Sequence, residues 1–396
     1  MSLTDTPNAN RLHIALFGRR NSGKSSLINA LTGQDIALVS NTPGTTTDLV
    51  SKAMEIQGIG PCLFIDTPGF DDEGELGELR ISRTLKAIEK TDIALLLCED
   101  TTFFHEKEIL ALLKEKNIPV IPVLNKIDIR ENSDHLATYI EEQCKISPLL
   151  ISAKEKIGIE LIRQAILEKL PSDFGQQNIT GKLVAENDLV LLVMPQDIQA
   201  PKGRLILPQV QTIRELLDKK CLVMTCTTDK FSATLQALAR PPKLIITDSQ
   251  VFKAIYEQKP KESELTSFSV LFAGYKGDIH YYVESATAIE RLTESSRVLI
   301  AEACTHAPLS EDIGRVKLPR LLRKRIGENL QIDMVTGTDF PQDLTPYSLV
   351  IHCGACMFNR KYVLSRIERA REQHIPMTNY GVAIAFLNGI LDQIKY

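Results

Sequence analysis

Two groups of residues have the types and spacing that chemistry requires. In the first, Gly18-Arg-Arg-Asn21-Ser22-Gly23-Lys24-Ser25 follows the apolar run LHIALF and leads through Ser26 into a helix-like stretch. A glycine-rich turn between strand and helix lets backbone N–H groups close around phosphate oxygens, with the positive end of the helix behind them. Lys24 then reaches the β and γ phosphates, and the Ser25 hydroxyl suits Mg2+. Asp66-Thr-Pro-Gly69 follows the run CLFI, so the Asp66 carboxylate sits at a strand end where it can hold the metal's water shell. Gly69 can present its amide to the γ-phosphate. Asn125-Lys126-Ile-Asp128 follows VIPVL and selects the base, because an aspartate accepts both hydrogen bonds offered by N1 and the 2-amino group of guanine. Ser152-Ala153-Lys154, after LLI, adds a backbone amide for the guanine oxygen. Strings such as N-K-x-D are common in isolation. All of them in this order predict a site for GTP and GDP with Mg2+.

The second group lies near the C-terminus. Cys304-Thr-His306 follows RVLIAEA, and His352-Cys353-Gly-Ala-Cys356 follows YSLVI, so both clusters fall just past the ends of predicted strands. Ligand sites in open parallel sheets gather at that edge. If the two strands are neighbours, three thiolates and two imidazoles converge on one metal centre. Tetrahedral zinc and an iron–sulfur cluster both suit such a set, and each histidine alone reads as a hydrogen-bonding residue beside the metal. Of the other cysteines, Cys62 and Cys98 belong to apolar strands and read as buried. Cys221 and Cys226 flank LVMT, which holds them apart, and Cys144 falls in a helix-like stretch.

The elements that must position these residues alternate: short Val/Ile/Leu-rich runs separated by amphipathic segments, the pattern of an α/β chain with mostly parallel sheets. With 396 residues, 43% of them apolar, there is material for several cores. The pattern predicts three domains: a P-loop domain over 1–172, a small α/β domain over 173–265 and a doubly wound α/β domain over 266–396. The polar stretch PSDFGQQNITG reads as a linker. The third block opens with FSVLFAG as its first apolar run and continues through RVLIAEAC, QIDMVTG, YSLVIHCG and IPMTNYG. A net charge of -4 gives no global reason to expect a nucleic-acid partner, and the basic run Lys317 to Arg325 reads as a solvated helix face. Without a secretory start or a long apolar run, the expected location is the cytoplasm, away from membranes.

The motifs of the first block resemble those of the translation-factor-related branch of small GTPases, particularly the potassium-dependent group that includes the tRNA-modification GTPase MnmE. That resemblance implies that Pro43-Gly-Thr45-Thr46-Thr-Asp48 is the first switch, with Thr46 a Mg2+ ligand and Thr45 its neighbour. It implies that Asn21 helps hold K+ beside the phosphates, where the ion offsets transition-state charge. Phe70 stands where Ras-like proteins carry the water-orienting glutamine. Glu78 matches the spacing of the group's catalytic glutamate; its other reading is a charged residue in the first turn of a helix.

The pattern Cys304-x-His306 followed by His352-Cys353-x-x-Cys356 is similar to that of the HydF family of FeFe-hydrogenase maturation GTPases. The likeness extends to the central segment PQDIQAPKGRLILPQVQTIREL, which resembles that family's dimerisation domain. It implies a 4Fe-4S cluster on Cys304, Cys353 and Cys356 with one iron left open, and His306, His352, Glu302 or solvent as candidates for the fourth position. It also implies a homodimer that acts as scaffold or carrier for the di-iron subcluster precursor, with the apo hydrogenase and radical-SAM maturation proteins as partners. The alternative is an RNA-modification or ribosome-assembly GTPase with a structural zinc site.

Overall fold

The computed structural model describes residues 6–32, 50–56, 58–69, 83–171, 174–175, 178–196, 203, 205–303 and 313–396. Thr45, Thr46, Phe70, Glu78, Cys304 and His306 lie outside them. The chain forms two compact units, Met1–Gln176 and Gln177–Tyr396. Among the described residues no helix is long and apolar enough to cross a membrane.

The first unit is built on one six-stranded sheet in the order β2-β3-β1-β4-β5-β6. Its strands are β1 (Leu12–Gly18), β2 (Val50–Ile56), β3 (Gly60–Asp66), β4 (Ile93–Cys98), β5 (Val120–Leu124) and β6 (Leu149–Leu150). Only the β2–β3 pair is antiparallel. Both faces are covered: Leu12, Ile14 and Leu16 enter one core while Ala15 and Phe17 enter another. A strand covered on both faces needs no polar alternation, so LHIALF is a continuous apolar run. β1 lies between β3 and β4, and the turns that follow all three open on the same sheet edge.

The second unit holds two four-stranded parallel sheets, β10-β9-β7-β8 and β12-β11-β13-β14. The first contains β7 (Leu189–Val193), β8 (Leu222–Cys226), β9 (Leu244–Thr247) and β10 (Glu264–Ser267). The second contains β11 (Arg297–Glu302), β12 (Gln331–Thr336), β13 (Leu349–His352) and β14 (Met377–Asn379). In each sheet the earliest strand is flanked by the next two in the chain, so the order reverses there. Such a reversal opens a crevice at the C-terminal strand ends.

One apolar run departs from the expected alternation. FSVLFAG is no strand but the start of the helix Phe268–Lys276, capped by Ser267, whose Oγ accepts the Val270 N–H at 3.2 Å. Phe268, Leu271 and Phe272 join the core lined by Val190 and Leu192, while Val270 and Ala273 join the core shared by β7, β11 and β13. A helix covered on opposite sides loses its polar stripe, and periodicity alone does not separate it from a buried strand. The adjoining strand β10 was hidden for the opposite reason: Thr266 and Ser267 are buried hydroxyl residues, and Ser267 Oγ satisfies itself against Ser249 Oγ at 3.0 Å. The basic run forms the helix Leu318–Ile326, which buries Leu318 and Leu322.

Candidate functional site

The turn after β1 is already shaped for an anion. Gly23 has φ +90° and packs so closely that a Cβ there would stand 2.2 Å from Asn125 Nδ2. Asn21 also adopts positive φ, at 61°. Lys24 is buried, with Nζ donating to the carbonyls of Gly18 at 2.8 Å and Arg19 at 2.7 Å, so the ammonium is folded over its own loop. Ser22 Oγ is buried without a protein partner, and Ser26 is exposed on the following helix. Gly23→Ala is expected to weaken GTP binding at least about tenfold, the equivalent of about 1.4 kcal/mol of strain, measured by titration calorimetry.

Ser25 Oγ donates to Asp66 Oδ2 at 2.7 Å, bringing the expected magnesium ligand Ser25 beside the carboxylate expected to hold the metal's water shell. Asp66 Oδ1 is buried and unpartnered. Burial pushes the carboxyl above its ordinary range, against the pull of the Ser25 hydrogen bond and the Lys24 charge. An unsatisfied carboxylate oxygen beside a hydroxyl is a donor set for a hard cation, so these residues fit Mg2+. Gly69 follows two residues beyond Thr67, whose Oγ1 ties the turn to the Leu16 carbonyl at 2.6 Å.

The base loops sit on the same edge, and Asn125 joins them to the phosphate turn. Its Nδ2 donates to the Ser22 carbonyl at 3.0 Å, and its Oδ1 accepts the Ala153 N–H at 3.0 Å. Lys126 takes φ 66° and pairs with Glu99 at 3.0 Å. Asp128 is exposed, held below the usual carboxylate range chiefly by the Ser152 hydroxyl. Ser152 is buried and Lys154 is exposed. The motif list overlooks two anchors. Arg130 donates to the carbonyls of Asn125 at 3.1 Å and Glu99 at 2.5 Å. Arg19, inside the phosphate turn, pairs with Asp100 at 3.0 Å and with the buried Glu106 at 2.9 Å. An arginine within a P-loop flanked by distant acids carried no pattern to reveal this latch.

In the second unit, β11 and β13 are adjacent and Ala301 lies opposite His352. They flank the point where strand order reverses. The Cys353 sulfur accepts N–H groups from Ala303 at 2.9 Å and Ala355 at 3.4 Å, and Ala303 immediately precedes Cys304. Two backbone donors aimed at one sulfur favour its thiolate, the form that binds metal. The donor chemistry at Cys353 therefore fits a metal–sulfur centre, and Cys356, half-buried, follows in the same turn. Among the described residues no three potential ligands meet; the set nominated from sequence divides between described and undescribed positions.

His352 and Glu302 are both engaged. His352 is wholly buried; Nε2 meets Arg366 NH1 at 2.8 Å and Nδ1 meets the Cys353 carbonyl at 2.7 Å. Because guanidinium only donates, Nε2 accepts and the ring proton resides on Nδ1. Burial first, and the Arg366 charge second, push the imidazole pKa down to about 3. The Glu302 carboxylate receives Arg315 through Nε and NH2, both at 3.1 Å. Cys62, Cys98 and Cys144 are buried in the first unit, and burial raises the Cys62 thiol to about 12.

The central phosphate turn, the serine–aspartate pair and the guanine-type base loops on a six-stranded sheet define the first unit as a P-loop GTPase domain. Residues 179–277 match the hydrogen maturase F dimerization domain and residues 280–395 the hydrogen maturase F tetramerization domain, and the chain belongs to the hydrogen maturase F family. Residues 13–126 match the family described as 50S ribosome-binding GTPase. Among curated relatives, the tRNA modification GTPase MnmE of Dechloromonas aromatica (strain RCB) is 40% identical over 159 residues, covering 39% of this chain and 34% of its own. GTPase Der of Wolinella succinogenes is 35% identical over 192 residues, 44% of this chain and 40% of its own. The chain spans little more than a third of the length of the MnmE relative. The solved G domain of the T. maritima FeoB iron transporter is 25% identical, covering 40% of this chain and 98% of its own, with a TM-score of 0.33.

Proposed function

We propose that this chain hydrolyses GTP and serves as an iron–sulfur scaffold that assembles and delivers the di-iron subcluster precursor in FeFe-hydrogenase maturation. The observation that carries the scaffold half is the Cys353 sulfur at the reversal point, held by the N–H of the residue preceding Cys304. Cys304, Cys353 and Cys356 would hold the 4Fe-4S cluster, whose open iron would supply a site for a bridging ligand from a second metal fragment. The hydrolytic half rests on Lys24, Ser25, Asp66, Asn125 and Asp128. Ser25 and Thr46 would hold Mg2+, which neutralises phosphate charge, with Asp66 on the metal's water shell; Asn21 would hold K+ and Glu78 would orient water. Apo hydrogenase and radical-SAM maturation proteins are the proposed partners, in the cytoplasm. Self-association has a ready edge in β8, which leaves Leu222 and Met224 exposed at 52% and 40%. An exposed apolar edge strand is a template for pairing.

Three measurements on the full chain test this. Asp128→Asn is expected to weaken GTP affinity by about 10- to 100-fold, since charge-assisted hydrogen bonds contribute about 1.5–3 kcal/mol, and to gain affinity for xanthosine triphosphate. Unchanged GTP affinity refutes the base assignment, and equal turnover in K+ and Na+ refutes potassium stimulation. Anaerobic reconstitution with iron and sulfide, with iron, sulfide and zinc quantified, tests the scaffold. Tightly held zinc and no cluster would favour an RNA-modification or ribosome-assembly GTPase.

A further inference from the structure

Arg366 is a cation without an anion. It is 2% exposed. NH1 donates to His352 Nε2 at 2.8 Å, and NH2 donates to the Gly337 carbonyl at 2.6 Å and the Tyr362 hydroxyl at 3.2 Å. The guanidinium carbon lies 4.7 Å from the ring centre of Phe340, 5.0 Å from Phe358 and 4.6 Å from Tyr362, and Nε has no partner. Every one of these partners is neutral, and among the described residues no carboxylate pairs with Arg366. Burying a cation with no anionic partner carries a desolvation penalty that only an opposite charge fully offsets. Ring faces and neutral acceptors offset part of that cost, but none of them neutralises the charge. The charge therefore calls for an electrostatic partner beyond its contacts.

The hydrogen bonds point to that partner. Arg366 donates to His352, and the His352 Nδ1–H donates to the carbonyl of Cys353, whose sulfur sits among backbone N–H donors. We propose that Arg366 is a positioning residue which, through a neutral His352, supplies the built-in counter-charge for an anionic thiolate–iron centre at Cys353 and raises its reduction potential. The inference rests on the cluster reading given above. Reduction adds an electron to a centre already negative, and a fixed positive charge in a low-dielectric interior favours the reduced form. His352 is committed at both ring nitrogens and transmits the orientation of the guanidinium to the Cys353 turn.

The test compares wild type, Arg366→Met, Arg366→Gln and Arg366→Lys as full chains, reconstituted anaerobically with ferrous iron and sulfide and titrated to their midpoint potentials by EPR. The neutral variants are expected to load the same iron per chain and to lose about tenfold in the reduction equilibrium, a fall of about 59 mV for one electron. Arg366→Lys, which keeps the charge, should retain most of the wild-type potential. Equal potentials with equal iron overturn the role of Arg366 and leave the cluster reading intact. A wild type that takes up no iron and sulfide overturns both. Loss of the fold in both neutral variants before any metal is added would make Arg366 a structural strut and would overturn the assignment as well.

Discussion

Lys24→Met is expected to lower kcat for GTP about 10²- to 10³-fold, the range lost when one preorganised charge-stabilising donor is removed. The side chain is already immobilised: Nζ is fixed by the carbonyls of Gly18 and Arg19, so its ammonium meets the β and γ phosphates with little reorganisation. Methionine keeps the packing of the stem but removes the charge and the two hydrogen bonds to Gly18 and Arg19, so the thermal midpoint is measured beside the rate to separate any loss of fold from loss of chemistry. Single-turnover hydrolysis at saturating GTP isolates the chemical step from binding. A variant that retains wild-type single-turnover rates would show that Lys24 is not placed on the transferring phosphate.

Cys353→Ala is expected to abolish cluster loading, with iron and sulfide per chain falling to near zero and the reduced-state EPR signal lost. The reason goes beyond removal of one thiolate. The sulfur is also the acceptor for the N–H groups of Ala303 and Ala355, both buried residues, so its loss leaves two donors without that acceptor. GTP hydrolysis in the isolated variant should persist, because all residues that shape the nucleotide site belong to the first unit. Normal iron and sulfide content in Cys353→Ala would remove Cys353 from the centre.

Much of the nucleotide site was legible because its chemistry is local. Each motif is a short turn behind an apolar strand, and the β1–β3–β4–β5 neighbourhood brings the turns to one edge. The link that Asn125 makes between Ser22 and Ala153 was not legible, since its partners are remote in sequence and both are backbone groups. Nor was Arg366. In RKYVLSRIERARE it is one basic residue among several; its burial and its hydrogen bond to His352 distinguish it from Arg369 and Arg371, which also lie over aromatic rings. The adjacency of β11 and β13 was a condition the sequence left open and the structure meets, while the helical state of FSVLFAG escaped the pattern because burial on two sides erases the periodicity that names an element.

That helix, Phe268–Lys276, has a consequence for how the second unit persists. It belongs to the region matched by the dimerization family, yet Val270 and Ala273 share a core with Leu299, Ala301 and Val350 of the neighbouring tetramerization region. A cut between the two regions would pass through one apolar interior and strand its halves in water. The shared core predicts that the two modules unfold together, and recombination that replaced one would have to replace the lining of the other. The coupling runs through the opposite faces of one nine-residue helix.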